Sequence, residues 1–140
     1  MSIDLASLVQ LLNKDLELEY AAAIQYINHA AVMTGAENGD LIKELKIHAN
    51  EEIQHAVILA DQIDYFEGSP SVTVGAIHTS NDNREMMRQD LDGEENAIRR
   101  YKLRIDQAEY LKEFALSQQL RTILAMEQEH AMDLKQALGK

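Results

Sequence analysis

Glu19, Tyr26, Glu52 and His55 recur 75 positions later as Glu94, Tyr101, Glu127 and His130. In each half the Glu is followed seven residues on by the Tyr, and thirty-three residues on by the first position of Glu-x-x-His. Both motifs continue with Ala, as Ala56 and Ala131. Carboxylates and imidazoles are hard or borderline metal donors, so the repetition reads as a two-metal site built by two similar half-proteins. In Glu-x-x-His the two side chains lie about 60° apart around a helix and one turn apart along it, so both reach one metal on the same face. Burying four carboxylates without cations would raise their pKa values through desolvation and mutual repulsion. Two divalent ions neutralise them. With no thiolate in the set, iron is the first choice and manganese the second, ahead of a structural zinc site that prefers Cys and His.

Other residues lie beside these six. Tyr26 and Tyr101 sit two turns beyond their Glu, near the same helix face, where each can hydrogen-bond a ligand carboxylate; the plainer alternative is a core Tyr with a satisfied hydroxyl. His48 precedes Glu52 by four and His55 by seven on one face, which offers a supporting or transient iron contact, or simply a core imidazole. His29 and His78 read as surface or core-edge residues. Glu51 and Glu129 neighbour ligands in sequence, but adjacent helical positions point about 100° away, toward solvent. Met86, Met87, Met126 and Met132 read as core filling, and none is nominated as a haem ligand.

These side chains need rigid helices to hold them. Hydrophobic residues make up 46% of the 140 residues and aromatics only 5%, with one Pro and no Trp, a helix-forming composition. The length suits one domain spanning 1–140 with a continuous core. Apolar residues recur at three and four from Leu5 to Val32, predicting a first helix that starts near Ser2 or Asp4 and ends at Thr34-Gly35. A second begins after Asn38-Gly39-Asp40 and runs to about Glu67, before Gly68-Ser69-Pro70. A third, capped by Asn81 or Asp82, reaches about Glu109, and a fourth runs from about Glu113 to Leu138. Residues 68–81 alternate like a strand but have no partner of similar character, so they read as an extended connector. Fourteen extended residues span at most about 46 Å, enough to traverse a 28-residue helix of about 42 Å. Helices two and three are then parallel. The expected fold is all-α: a four-helix bundle of two antiparallel hairpins joined by one long crossover.

The formal net charge of −11 argues against a nucleic-acid partner, because no Lys/Arg face or tail is visible, and suits attraction of cations. The absence of Cys excludes a rubredoxin-type iron centre, an iron–sulfur cluster and any disulfide framework. No apolar run approaches the roughly 20 residues of a membrane span, and the start lacks signal-peptide character. A cytoplasmic protein without a membrane partner is expected.

One Glu from each of two helices and Glu-x-x-His from each of two others is the inventory known for di-iron and di-manganese carboxylate bundles. Leu12-Asn13-Lys14 with Glu19 and Gln25-Tyr26, Glu52-x-x-His55-Ala56, Glu94, and Glu127-Gln-Glu-His130 resemble the ferritin-like superfamily, and within it bacterioferritin most closely. The resemblance covers almost the whole chain. It implies terminal ligation by Glu19 and Glu94, bridging by Glu52 and Glu127, and one imidazole per iron from His55 and His130. At three places the chain departs from its relatives. Ile53 stands where bacterioferritin has its haem-binding Met, so no haem is expected. The ten residues after His130 leave no room for a fifth helix, so no 24-subunit cage is implied. Ala97 stands where rubrerythrin would offer an additional Glu.

The expected activity is that of a ferroxidase: two iron ions, taken up as Fe(II), are oxidised by dioxygen or hydrogen peroxide, for detoxification or storage. Peroxide disposal by di-iron or di-manganese chemistry at the same residues is the enzymatic alternative, and a non-catalytic iron-buffering bundle is the alternative outside enzymes. Candidate apolar stripes on the first two helices lead one to expect a homo-oligomer, at least a dimer.

Overall fold

A computed structural model describes residues 1–140. Helix α1 spans Leu5–Val32, α2 Gly39–Tyr65, α3 Asn83–Tyr110 and α4 Phe114–Ala137. Asp4 caps α1 by accepting from the Ser7 amide at 2.7 Å, and Asp82 caps α3 by accepting from the Glu85 amide at 2.8 Å. Each satisfies one of the orphan donors at a helix start. A single 3-10 turn, Ala36–Asn38, joins α1 to α2, and Lys112 in the left-handed region turns α3 into α4. The four expected helices are all present, with ends within a few residues of the expected ones. The all-α bundle of two hairpins stands as expected.

Between the hairpins, residues 66–82 form no strand. The alternation seen in the sequence is answered by α1 instead. Asn13 donates to the Ser69 carbonyl at 2.9 Å and accepts from the Ser71 amide at 2.8 Å. The Gly75 amide donates to the Glu17 carbonyl at 3.0 Å, and the His78 amide donates to Gln25 Oε1 at 2.9 Å. The connector therefore runs along α1 in its own direction, from the level of Asn13 to that of Gln25, and delivers α3 parallel to α2. At its start Gly68 lies so close to α1 that a Cβ there would sit 2.6 Å from Val9 Cγ1. Only glycine fits.

The core is divided. Leu8, Leu12, Leu16, Leu59, Ile63, Ile105, Leu116 and Leu120 belong to one apolar cluster; Ala30, Leu45, Met86, Met87, Leu91 and Leu134 belong to another. Between them lies a layer of buried polar side chains. Of the methionines read as core filling, Met86 and Met87 are buried and Met126 is half-buried, whereas Met132 is 62% exposed. It follows core-facing Ala131 and therefore points about 100° away from it.

Two further buried acids tie α1 to α3. Asp15 accepts from Arg100 Nη1 at 2.7 Å and from Arg104 Nε at 2.7 Å. Asp90 accepts from Gln25 Nε2 at 2.9 Å and faces His29 Nδ1 at 2.9 Å. Asp15 and Asp90 are 75 residues apart, and so are Gln25 and Arg100, and His29 and Arg104. The internal twofold thus extends beyond the eight residues that first revealed it. His29, expected at the surface or core edge, is fully buried; its other nitrogen meets the His78 carbonyl at 3.0 Å, so it also holds the connector down. His78 itself is exposed. Removing one partner from a buried ion pair such as Asp15–Arg104 costs about 3–5 kcal/mol, and these two clamps set the spacing of the helices that carry Glu19 and Glu94.

Candidate metal centre

Each helix delivers its part to the polar layer: Glu19 from α1, Glu52 and His55 from α2, Glu94 from α3, Glu127 and His130 from α4. All six are at most 4% exposed. His55 Nδ1 lies 3.6 Å from Glu19 Oε2, 3.5 Å from Glu52 Oε1 and 3.3 Å from Glu127 Oε1. His130 Nδ1 lies 3.3 Å from Glu52 Oε1, 3.2 Å from Glu94 Oε1 and 3.5 Å from Glu127 Oε1. Two donors bound to one ion at about 2.1 Å and roughly right or tetrahedral angles are about 3.0–3.4 Å apart, close to the spacing found. The donors fall into two sets, Glu19/Glu52/His55/Glu127 and Glu52/Glu94/Glu127/His130, each with ligand atoms within 4.8 Å of one another. Glu52 and Glu127 belong to both.

Whether the cluster suits a metal is decided by its unsatisfied atoms. Glu19 Oε2, Glu52 Oε1, His55 Nδ1, Glu94 Oε2 and Glu127 Oε1 are buried without a hydrogen-bond partner. A buried polar atom left unpaired costs about 1–3 kcal/mol. Five such atoms in one buried layer suit metal ligation, and oxygen and imidazole donors fit Fe(II) or Mn(II).

Electrostatics agrees. Burial, with repulsion from Glu19 and Glu94, pushes Glu52 up to about 7; burial and Glu127 push Glu94 up to about 8; burial and Glu52 push Glu127 up to about 8. Glu19 is raised by burial and by Glu127. Burial alone would lower both imidazoles, but the surrounding carboxylates outweigh it, holding His130 up to about 11 and His55 higher still. Without metal the cluster keeps protons that ions would displace.

Both tyrosines touch carboxylates of the cluster, and they do so across the twofold. Tyr26 of α1 donates to Glu94 Oε1 of α3 at 2.6 Å; Tyr101 of α3 donates to Glu19 Oε1 of α1 at 2.6 Å. Each phenol occupies Oε1 of its carboxylate, and Oε2 of each is left without a hydrogen-bond partner. Glu51 was expected to face solvent; it is half-buried, with Oε1 3.3 Å from His130 Nε2. Such a partner fixes the imidazole tautomer and leaves Nδ1 free to ligate. Its counterpart at the 75-residue offset is Met126, so only one half has this support. Glu129 is exposed as expected. His48 is buried and stacks on His130, ring centroids 3.9 Å apart, and burial together with His130 pushes it down to about 4.

A cavity of about 530 Å³ between α1, α3 and the connector reaches the centre; Glu19, Glu52, Glu94 and Glu127 line it together with exposed Asp92. Arg100 also lines it, but the acids outnumber it, and a predominantly acidic lining concentrates cations.

The ferritin-like domain family model matches residues 9–140. The bacterioferritin of Brucella melitensis is 30% identical over 87% of this chain and 76% of its own length. The bacterial ferritin of Pseudomonas aeruginosa is 32% identical over 94% of this chain and 86% of its own. Among solved structures, a ferritin-like diiron-carboxylate protein from Bacillus anthracis superposes with a TM-score of 0.93 at 32% identity, covering 99% of both chains. A dodecameric thioferritin from Bacteroides fragilis, described as bacterioferritin-related, superposes with a TM-score of 0.91 at 31% identity over 98% of this chain and 87% of its own.

Proposed function

We propose a function from one premise: the chain belongs to the ferritin family. It takes up two Fe(II) ions as substrate and oxidises them with dioxygen or hydrogen peroxide. One observation carries this reading: two overlapping Glu/His sets share Glu52 and Glu127 and present unpaired buried donor atoms. Glu19 and Glu94 are the terminal ligands, Glu52 and Glu127 the bridging ones, and His55 and His130 bind one ion each. Each Fe(II) gives up one electron, so two ions and two protons reduce one hydrogen peroxide to two waters, or one dioxygen to hydrogen peroxide. The protein's residues fix the geometry. Tyr26 and Tyr101 hold the terminal carboxylates in place, Glu51 orients His130, and the apolar clusters close the layer above and below, leaving the cavity beside α1 and α3 as the way in. Protons leave the imidazoles and carboxylates as the ions enter.

The test is anaerobic loading of metal-free protein with two Fe(II) per chain, followed by separate additions of dioxygen and of hydrogen peroxide. Oxidation should outrun the protein-free control with at least one oxidant, and the faster one identifies the working partner. A rate equal to the control with both would overturn the proposal. The chain also self-associates in this reading. Ile24, Ile27, Ile53 and Val57 of α1 and α2 are each at least 42% exposed, and burying such side chains against a second copy gains about 25 cal/mol per Å². Light scattering should show a dimer or larger; a monomer at micromolar concentration would refute it.

A further inference from the structure

Outside the six ligand positions the two halves of the centre are not alike. His130 Nδ1 faces the carboxylates of the layer, while its Nε2 lies 3.3 Å from Glu51 Oε1. His55 has no such partner: Glu19, Glu52 and Glu127 are the only acids within 4.0 Å of it, and all three face its Nδ1. The position equivalent to Glu51 holds half-buried Met126, whose thioether carries no charge and accepts hydrogen bonds only weakly. A carboxylate behind a ligating imidazole fixes the ring's orientation and raises its basicity as a ligand. One half has that support and the other lacks it.

The surroundings of the terminal acids differ in the same direction. Asp15 stands one turn before Glu19 on α1, as Asp90 stands one turn before Glu94 on α3. Two guanidiniums, of Arg100 and Arg104, answer Asp15, which leaves an excess positive charge. One imidazole and one amide, of His29 and Gln25, answer Asp90, which leaves none. Arg100 Cζ lies 5.4 Å from the ring centroid of Tyr101, the phenol that bonds Glu19. A fixed cation so placed repels an incoming divalent ion at the Glu19 position and has no counterpart at the Glu94 position.

We infer, on the reading of the layer as a two-ion centre, that its two positions are filled in order. The ion held by Glu94 and His130 binds first, roughly 10–100-fold more tightly than the ion held by Glu19 and His55, the range by which such a partner changes metal affinity. Glu51 is the positioning residue chiefly responsible. Iron oxidation then has a threshold. Reduction of dioxygen to hydrogen peroxide, or of hydrogen peroxide to water, takes two electrons, and each Fe(II) gives one, so a half-loaded chain does not complete the reaction. While free Fe(II) lies between the two dissociation constants, the chain holds one ion; oxidation starts when Fe(II) reaches the weaker constant.

Mn(II), stable in air and read by electron paramagnetic resonance, is the probe. Titrated into metal-free full-length protein, the first equivalent should give the signal of isolated bound ions, and the broadened signal of a coupled pair should grow only with the second. The two stepwise dissociation constants should differ well beyond the statistical separation of identical sites. In Glu51→Met, which places the repeat-equivalent residue there, the first constant should weaken by about tenfold or more and the second stay unchanged, so the pair signal appears below one ion per chain. Glu51→Gln keeps an acceptor for His130 Nε2 without the charge and should fall between. Circular dichroism checks the fold, and a merely structural role would weaken both steps together. In crystals given one Mn(II) per chain, the anomalous peak beside His130 should exceed that beside His55 in the parent, and the two should approach each other in Glu51→Met. Equal peaks in the parent, a first constant that Glu51→Met leaves unchanged, or equal weakening of both steps would overturn the inference while leaving the two-ion centre in place. Fewer than two ions per chain in the parent would overturn the two-ion centre itself, and the order of filling with it.

Discussion

Glu52→Gln combined with Glu127→Gln is expected to abolish binding of the buried ion pair and to bring Fe(II) oxidation down to the protein-free rate. No other two residues belong to both ligand sets, so each ion loses two of its four protein donors at once. The same variant should be more stable than the parent when both are metal-free at pH 8. Burial and neighbouring carboxylates hold Glu52 at about 7 and Glu127 at about 8, against ordinary values near 4.5, and each unit of such a shift corresponds to about 1.4 kcal/mol. Amides of the same size carry no charge to desolvate. Lost metal with raised apo stability is the signature of a site whose acids are retained for ligation rather than for folding. Metal analysis and thermal denaturation read both quantities on one sample. If the double variant kept its metal, the ligand assignment would be wrong; if it lost metal and stability together, the acids would be structural.

Much of this centre is legible in the sequence because helical metal sites obey a strict period. Ligands on one helix must sit three, four or seven apart to face one point, and ligands on partner helices must match in height. Glu19, Glu52, His55 and their counterparts satisfy both conditions by residue type, so the repeat is visible. The clamps around Asp15 and Asp90 obey the same 75-residue offset, but Arg100 replaces Gln25 and Arg104 replaces His29. Equivalent roles are filled there by different chemistry, and a search for identical residues passes over them. His29 was misplaced for the same reason: its need for burial comes from Asp90, 61 residues away. Glu51 escaped because its long side chain swings back across the helix to His130, which the direction of its Cβ does not disclose. The connector's alternation was read correctly as extended chain, while its partner, the polar face of α1, lies outside the strand-pairing rules that alternation brings to mind.

Removing the buried ions is expected to lower the melting temperature by roughly 15 °C at pH 8 and by less than about 5 °C at pH 5. A ligand at a hundredfold excess over its Kd stabilises by about 2.7 kcal/mol, two ions by about twice that, and for a chain of this size each kcal/mol is worth roughly 3 °C. The pH dependence follows from proton linkage. The folded pKa values of Glu52, Glu94 and Glu127, about 7, 8 and 8, exceed those of the unfolded chain, and His130 at about 11 exceeds its unfolded value near 6.5. All four shifts have one sign: the folded metal-free protein binds more protons than the unfolded chain, so its stability falls as pH rises. For the carboxylates the window opens at about 4.5 and closes near 8; for His130 the loss begins above 6.5 and extends to about 11. Ions require the deprotonated ligands, so their contribution grows over the range in which the apo protein weakens. Acidic surface charge would add a slope of the same direction, and the Glu52→Gln, Glu127→Gln protein separates the two causes. If the cluster sets the slope, the metal-free double variant should lose roughly half of its pH dependence between 5 and 8, Glu94 and His130 keeping the rest; if surface repulsion sets it, variant and parent should run parallel.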